Sequence, residues 1–209
     1  MDKKFVITIG REYGSGGREI GRLLAEKLNV KCYDKELLAI ASKNSGISEE
    51  LFKSNDEKPT NSFLYSLVMD TYSVGYSTSS FIDMPLNQKV FMAQYDTIKK
   101  IAANESCIIV GRCADYVLKD FPNVVSVFIK ADMDFKAERI MKLFDYSDSK
   151  ARDIINKTNK KRANYYNYYS NKKWADSRSY DLCLDSSKLG IENTADIIIE
   201  YLNMYLKKK

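Results

Sequence analysis

Residues 5–28 read FVITIGREYGSGGREIGRLLAEKL and join an apolar run, a glycine-rich turn and an amphipathic segment. The run 5–9 predicts a strand, and the apolar residues of 18–28 recur at helical spacing, which predicts a helix. Between them lie Gly14, Ser15, Gly16 and Gly17. Glycines let backbone N–H groups converge, and the positive end of the helix dipole favours negative charge. The segment predicts an anion-binding turn with phosphate as its natural occupant; a tight turn without a ligand is the alternative.

Short apolar runs and helical patterns continue to alternate along the chain. Further strands are predicted at 31–33, 107–110, 124–129 and 181–184, and further helices at 87–103 and 191–205. Alternating strands and helices imply a parallel sheet with helices on both faces. The predicted fold is therefore a three-layer α/β fold with a five-stranded parallel sheet. Its ligand site should lie at the carboxyl ends of the strands.

Two segments depart from this alternation. Residues 46–85 contain prolines and many Ser and Thr, and residues 146–174 are rich in Lys, Arg and Tyr. We interpret both as appendages that rise over the ligand site. The expected organisation is one domain (1–209) with its core in 1–45, 86–145 and 175–209, a helical insertion at 46–85 and a helical lid at 146–174.

The composition sets bounds on the function. The chain has 209 residues, a net charge of +5 and no histidine. Any proton acceptor must therefore be a carboxylate or another group, which phosphoryl transfer tolerates because it depends on positioning and charge neutralisation. The cysteines are scattered, which argues against a zinc site or a disulfide framework, and no apolar run is long enough to span a membrane. We expect a cytoplasmic protein without membrane or nucleic-acid partners.

The glycine-rich turn departs from the phosphate-loop pattern G-x-x-x-x-G-K-S/T. Aligned on Gly-Ser-Gly, the chain has Arg11 at the first glycine, Gly17 at the lysine and Arg18 at the Ser/Thr. The guanidinium of Arg18 could supply the charge that lysine normally supplies, because it is always protonated and forks onto phosphate. A solvent-facing arginine in the first helical turn is the alternative.

The glycine-rich segment and four later motifs resemble the cytidylate kinase-like family of P-loop proteins. The later motifs are CYDKELL (32–38), CIIVGRCADYVL (107–118), KKRANYYNYY (160–169) and YDLCLDSSKLGIE (180–192). They occur in the family's order and at similar spacing over nearly the whole chain. The resemblance implies a P-loop NTPase fold related to nucleoside monophosphate kinases, with an NMP-binding insertion and a mobile lid. It also implies ATP as the donor, magnesium as the cofactor and a small nucleotide as the acceptor.

The resemblance assigns roles to residues at matching positions. It implies ATP and phosphate binding by Gly14, Ser15, Gly16, Gly17, Arg18, Asp185 and Ser186. It implies acceptor binding by Asp34, Glu36, Arg112 and Asp115, with Asp34 also the candidate magnesium ligand. The implied catalytic cations are Arg18, Arg112, Arg139, Lys161 and Arg162. Positive charge is needed there because negative charge builds on the phosphoryl oxygens during transfer.

Two departures from the family pattern bear on the reaction. Cys113 stands where true cytidylate kinases have Asp, and Val110 stands where an acidic residue commonly precedes the Gly-Arg pair. The expected function is ATP-dependent phosphoryl transfer to a nucleoside monophosphate of the CMP or dCMP type, or to a related small phosphorylated acceptor. Two alternatives stay open: a regulatory nucleotide-binding protein of the same fold with little kinase activity, and a kinase for a non-nucleotide metabolite.

Structural interpretations compete with these roles. Arg112 could form a salt bridge at the edge of the core, and the basic run 160–162 could be a solvated helix face. The tyrosines of 165–169 suit a core surface, a dimer surface or a platform for a base, and packing is the preferred interpretation. A homodimer stays open for the same reason, and the role of Trp174 is equally ambiguous.

Overall fold

The five predicted strands form one parallel sheet in the computed structural model, which describes residues 3–57 and 84–208. The strands are β1 (Val6–Arg11), β2 (Lys31–Tyr33), β3 (Cys107–Val110), β4 (Val124–Lys130) and β5 (Leu182–Asp185). Their order across the sheet is β2-β3-β1-β4-β5, with every neighbouring pair parallel. The predicted strands are confirmed: β2 and β3 have the predicted bounds, and ends of the other three are shifted by one or two residues.

Helices flank this sheet on both faces. They are α1 (Gly17–Leu28), α2 (Glu36–Ser45), α3 (Glu49–Asn55), α4 (Leu86–Asn104), α5 (Ala114–Val117), α6 (Met133–Phe144), α7 (Asp148–Ser170) and α8 (Ser186–Lys208). A short 3-10 turn at Ser177–Ser179 precedes β5. α8 is interrupted at Gly190, where φ is 75° and ψ is 169°. The predicted α/β class with helices on both faces is confirmed.

Side chains of the central strand alternate between two cores. On one face, Ile7 packs with Leu24 of α1 and Ile198 of α8. On the other face, Val6 packs with Ile98 of α4. Because both faces are covered, the central strands β1 and β3 consist mostly of buried β-branched residues rather than alternating polar and apolar ones. Each fully buried side chain of this kind contributes roughly 1.5–3 kcal/mol to folding.

The tyrosines near the end of α7 are packing residues. Tyr165, Tyr166 and Tyr169 are buried, and the ring of Tyr169 stacks on Phe91 of α4 with ring centroids 3.9 Å apart. The packing interpretation is confirmed for these three side chains. The carboxyl end of α7 is thus anchored in the core, whereas its amino half packs with α6 through a separate small cluster.

The segment predicted as an insertion is described only in its first part and at its end. α3 lies within it and packs through Phe52 against Leu38 of α2 and Val90 of α4. Residues 58–83 lie outside the described residues. In the described ranges, no helix has the length and apolar character that crossing a bilayer requires.

Candidate active site

The glycine-rich turn leads from β1 into α1 at the carboxyl edge of the sheet. Gly16 precedes α1 with φ 79° and ψ 3°, a left-handed conformation that disfavours side chains. A Cβ atom there would also lie 2.3 Å from Cδ1 of Ile191. The first N–H groups of α1 have no acceptor within the helix and point out of its amino end, where the helix dipole is positive. The local geometry is that of an anion site.

Neighbouring side chains hold the turn in place. The hydroxyl of Ser15 donates to the carbonyl of Glu12 (2.9 Å), and the carbonyl of Ser15 accepts from the hydroxyl of Ser186 (2.6 Å). The carboxylate of Glu12 accepts from Lys136 of α6 (2.7 Å). The hydroxyls of Ser15 and Ser186 therefore brace the turn through its backbone.

Three arginines converge at the carboxyl edge of the sheet, and we call Arg11, Arg112 and Arg162 the arginine cluster. Arg11 ends β1, Arg112 follows β3 and Arg162 projects from α7. Only 10%, 2% and 13% of their side chains are exposed, respectively. Buried charges are tolerated when they are paired. The cluster therefore requires anions close by.

Two aspartates pair with Arg112 of the arginine cluster. Arg112 donates from Nη1 to Asp34 (2.9 Å), and from Nε and Nη2 to the two carboxylate oxygens of Asp56 (3.3 and 2.9 Å). Its Nη1 also donates to the carbonyl of Val110 (2.9 Å). Burial lowers the pKa of Arg112, but the charges of the surrounding carboxylates outweigh burial and raise the pKa overall. This guanidinium stays charged.

Glu57 bridges the other two arginines. Its Oε1 accepts from Nη1 of Arg11 (2.8 Å), and its Oε2 accepts from Nε of Arg162 (3.3 Å). Burial raises the pKa of Glu57, but the charges of the three arginines have a larger, opposite effect. The pKa of Glu57 therefore lies well below its usual range. Burial and the like charge of Arg11 lower the pKa of Arg162 to about 10. Glu57 is therefore ionised and holds two like charges together.

Gly111, directly after β3, makes room for this contact. Its φ is 80°. A Cβ atom on it would lie 2.3 Å from Nη1 of Arg11 and 2.8 Å from Oε1 of Glu57. Both the backbone conformation and the close approach of two charged groups require glycine.

Arg18 reaches one of the same carboxylates from α1. Its Nε lies 2.5 Å from Oδ2 of Asp34, and 48% of its side chain is exposed. Asp34 is 6% exposed and lies between Arg18 and Arg112. Burial raises the pKa of Asp34, but the charges of these arginines have a larger, opposite effect, so the pKa of Asp34 is lowered overall. The carboxylate links the first turn of α1 to the arginine cluster.

A small cavity adjoins the arginine cluster on the side of the aromatic core. It is partly open to solvent and has a volume of about 20 Å³, roughly the space of one water molecule. Its wall includes Thr8, Asp115 and Tyr180. The hydroxyl of Thr8 is buried without a hydrogen-bond partner in the described part of the chain. Tyr166 donates to Asp115 (2.7 Å), and burial raises the pKa of Asp115. The wall offers polar groups, but the present contacts leave little room for a ligand.

A glycine-rich turn at a helix amino end, beside buried arginines at a sheet's carboxyl edge, is an arrangement suited to phosphate chemistry. The model of the cytidylate kinase-like family matches residues 6–188. The chain belongs to the cytidylate kinase-like family. The predicted family is confirmed.

Solved structures place this cytidylate kinase-like chain among proteins of the P-loop kinase fold. An uncharacterized protein from Eubacterium ventriosum ATCC 27560 is 33% identical, with a TM-score of 0.72 and coverage of 97% of this chain and 99% of that one. Shikimate kinase from Bacteroides thetaiotaomicron is 16% identical (TM-score 0.55, covering 95% and 98%). A gluconokinase from Sinorhizobium meliloti 1021 is 12% identical (TM-score 0.51, covering 99% and 100%). No curated protein gives a significant match. The predicted fold is confirmed, while the two named kinases inform on the fold alone.

The structure brings several predicted site residues together. Arg18, Asp34 and Arg112 lie in one group of ion pairs, which Asp56 completes. Arg162 lies in a second group with Glu57 and Arg11. The two groups meet at the adjacent residues Asp56 and Glu57, and we call them together the ion-pair network. Asp115 lines the adjoining cavity. Their roles in this kinase-like chain stay predictions, but their convergence from α1, the ends of two strands and α7 fits a shared site.

Other predicted residues have local partners. Arg139 pairs with Glu19 in the first turn of α1. Glu36 accepts from the backbone N–H of Asp34 (3.1 Å), so it positions that residue. Asp185 accepts from the N–H of Ser187 (3.1 Å) and thereby braces the start of α8. Lys161 is exposed on α7. These contacts give the first three residues structural tasks at the edge of the site.

Sequence reasoning missed three members of the network, namely Arg11, Asp56 and Glu57. One signal was available for the arginine: both 9–11 and 110–112 consist of an apolar residue followed by Gly-Arg at a strand end. The acidic residues lie in the polar run 54–58, which looks like an ordinary solvated turn. No local pattern distinguishes them.

Proposed function

We propose that the protein transfers a phosphoryl group from ATP to a small phosphorylated acceptor, with a nucleoside monophosphate of the CMP or dCMP type as the first candidate. The observation that carries the proposal is the ion-pair link between the anion-binding turn and the buried arginine cluster, through Arg18 and Asp34. A phosphotransferase needs adjoining sites for the donor phosphates and for the acceptor, because rate depends on holding them in reacting geometry. The turn and the cluster would supply one site each.

The donor side would consist of Gly14 to Gly17 and the first turn of α1. The unsatisfied amides at the positive end of the helix suit the phosphates of ATP, which supplies the phosphoryl group when bound. Gly17 leaves the lysine position empty of charge. Two arginines near the start of α1 could supply the missing positive charge. Arg18 lies in the first turn of α1, and Arg139 reaches Gly16 from α6. Asp185 and Ser186 would shape the adjacent wall for the nucleotide.

The acceptor side would consist of the arginine cluster and Asp34. Arg112 presents a fork of donors that matches phosphate, and Asp34 could accept a hydrogen bond from the acceptor and orient it. Arg18 and Arg162 would neutralise the charge that develops during transfer. Each well-placed donor of this type contributes on the order of a hundredfold or more in rate.

Magnesium would enter mainly with the nucleotide. In the described residues no group of three His, Cys, Asp or Glu side chains is placed to hold a metal ion. Asp34 carries Arg112 on one oxygen and Arg18 on the other, so only a water-mediated contact with the ion fits this arrangement. Such a contact is ordinary, because protein-bound Mg²⁺ usually keeps several waters and binds substrate phosphates.

Two other functions have specific support. A regulatory nucleotide-binding role fits Gly17 in place of lysine and Val110 in place of an acidic residue. A kinase for a non-nucleotide metabolite fits Cys113, which stands where true cytidylate kinases have Asp. Structures named shikimate kinase and gluconokinase share the fold.

Formation of ADP from ATP and magnesium tests the three functions together. The acceptor panel should contain CMP, dCMP, UMP, shikimate and gluconate, with ATP alone as the background. Our proposal expects ADP formation that depends on CMP or dCMP. Activity with a metabolite and none with the nucleotides would favour the metabolite kinase. ATP-dependent thermal stabilisation without turnover on any acceptor would refute the enzyme and favour the regulatory protein.

A further inference from the structure

Asp56 and Glu57, which we call the acidic pair, stand at the carboxyl end of α3 and reach into the arginine cluster. α3 packs against α2 and α4 through Phe52 rather than against the sheet. Glu57 adopts φ 52°, a left-handed conformation that residues with a Cβ atom disfavour. The acidic pair therefore follows a peripheral helix, and its ion pairs hold it against the arginine cluster.

The acidic pair contacts the arginines as an anionic ligand would. Asp56 takes a forked contact from Nε and Nη2 of Arg112. Glu57 places one oxygen on Arg11 and the other on Arg162. Guanidinium groups bind phosphate with the same fork geometry that they use for carboxylates. The pair thus fills the donor positions that an incoming anion would need.

Charge balance indicates what kind of anion fits. The network contains Arg11, Arg18, Arg112 and Arg162, against Asp34, Asp56 and Glu57. Positive charge exceeds negative charge by one. Withdrawal of the acidic pair would raise this excess to three. A phosphate monoester, which is close to a dianion at neutral pH, restores the original balance, whereas one carboxylate leaves it incomplete.

We propose that the acidic pair is a built-in occupant of the acceptor site, and that the acceptor bears a dianionic phosphate monoester that displaces the pair from the arginine cluster. The inference rests on the proposed function for assigning the cluster to the acceptor. The cavity of about 20 Å³ next to the cluster cannot hold a phosphate as well. Binding and withdrawal of the pair are therefore one event, and affinity for the acceptor is reduced by the cost of breaking its ion pairs.

Phosphate binding by a charge-neutral variant tests this competition. In Asp56→Asn/Glu57→Gln the amides keep the shape of the side chains and can still accept hydrogen bonds, but the two competing charges are gone. Calorimetric titration with inorganic phosphate at about pH 8, where phosphate is mainly a dianion, should show binding at least about tenfold tighter than in the wild type. Titration with acetate should show a much smaller gain.

The matched control is Glu49→Gln/Glu50→Gln on the same helix. Both side chains are exposed, and Glu49 pairs with Lys53. The control removes the same charge without touching the cluster, so its phosphate affinity should stay near that of the wild type. Equal affinities in the two double variants would overturn the proposal, and an equal gain for acetate would overturn the assignment of a dianion.

The wild-type protein offers a second test that does not depend on the folding of a variant. Saturating inorganic phosphate should increase amide hydrogen exchange in residues 49–57, because the acidic pair loses its anchors. Unchanged exchange at saturation would overturn displacement. Neither test uses ATP, so tighter phosphate binding without ADP formation would support displacement of the acidic pair by a phosphate dianion while refuting the proposed function and, with it, the name acceptor site. ADP formation without these phosphate effects would do the reverse.

Discussion

Replacement of Arg112 by alanine probes the ion-pair network most directly. The side chain is 2% exposed and donates to Asp34, to both oxygens of Asp56 and to the carbonyl of Val110. Its removal leaves two carboxylates without their main partner. Breaking a buried ion pair from one side costs about 3–5 kcal/mol. This loss is large against the roughly 5–15 kcal/mol by which folded proteins are typically stable.

Urea unfolding followed by tryptophan fluorescence measures this loss. Trp174 is the chain's only tryptophan and packs edge-on against Phe128, with ring centroids 5.2 Å apart. Arg178→Ala is the matched control, because Arg178 is 87% exposed and pairs with Asp176 at the surface. Exposed pairs contribute little, so the control should unfold at nearly the wild-type urea concentration.

The penalty of Arg112→Ala should also depend on pH. Asp34 has a folded-state pKa below its unfolded value of about 3.8, so its ion pairs stabilise the protein above that pH. This contribution is lost as pH falls through the folded pKa. Without Arg112, less positive charge opposes the effect of burial on Asp34, so the pKa of Asp34 is higher in the variant than in the wild type. Acid then protonates this carboxylate and removes the cost of burying its unpaired charge. The difference in unfolding free energy between the two proteins should therefore shrink from pH 7 toward pH 4. A loss below about 1 kcal/mol at pH 7, or a difference that does not shrink, would refute the network.

Three further predictions concern the arginine cluster, Arg18 and the predicted lid at 146–174. Gly111→Ala should crowd the arginine cluster and lower the melting temperature more than Gly46→Ala, because Gly46 has φ 73° but open space around an added Cβ; equal losses would mean that backbone strain explains both. Arg18→Ala should fold normally, because the side chain is 48% exposed, yet slow acceptor-dependent ADP formation by more than ~100-fold. Arg22→Ala, exposed on the same helix, should be near wild type, and wild-type rates in Arg18→Ala would remove that residue from the mechanism. Tryptic cleavage within 147–171 should slow when ATP and magnesium are added, and unchanged cleavage would contradict a closing lid.

The fold was readable from the sequence because its signals are local. The run 107–110 is buried at every position, as expected for a strand covered on both faces. The end of β1 was less predictable. Gly10 and Arg11 continue the strand by pairing with Phe128 and Ile129 of β4, and no sequence pattern reports such a register.

The candidate site was predictable only in part. The glycine-rich turn at 14–17 could be recognised because adjacent residues form it. The ion pairs could not, since Arg11 meets Glu57 across 46 positions and Arg112 meets Asp56 across 56 positions. Whether a charged side chain is solvated or buried depends on which elements meet around it. The tertiary structure alone supplies that information.

Arg11 contacts both the arginine cluster and the glycine-rich turn. Its side chain holds Glu57, its carbonyl accepts from Arg162, and a Cβ atom on Gly17 would lie only 2.6 Å from its own Cβ. A ligand that shifts the glycine-rich turn would therefore also displace Arg11, which lines the small cavity beside the arginine cluster. In the proposed function, such shared contacts would couple the binding of donor and acceptor, and any such coupling is reciprocal. The factor by which the first ligand alters affinity for the second must equal the factor in the other direction.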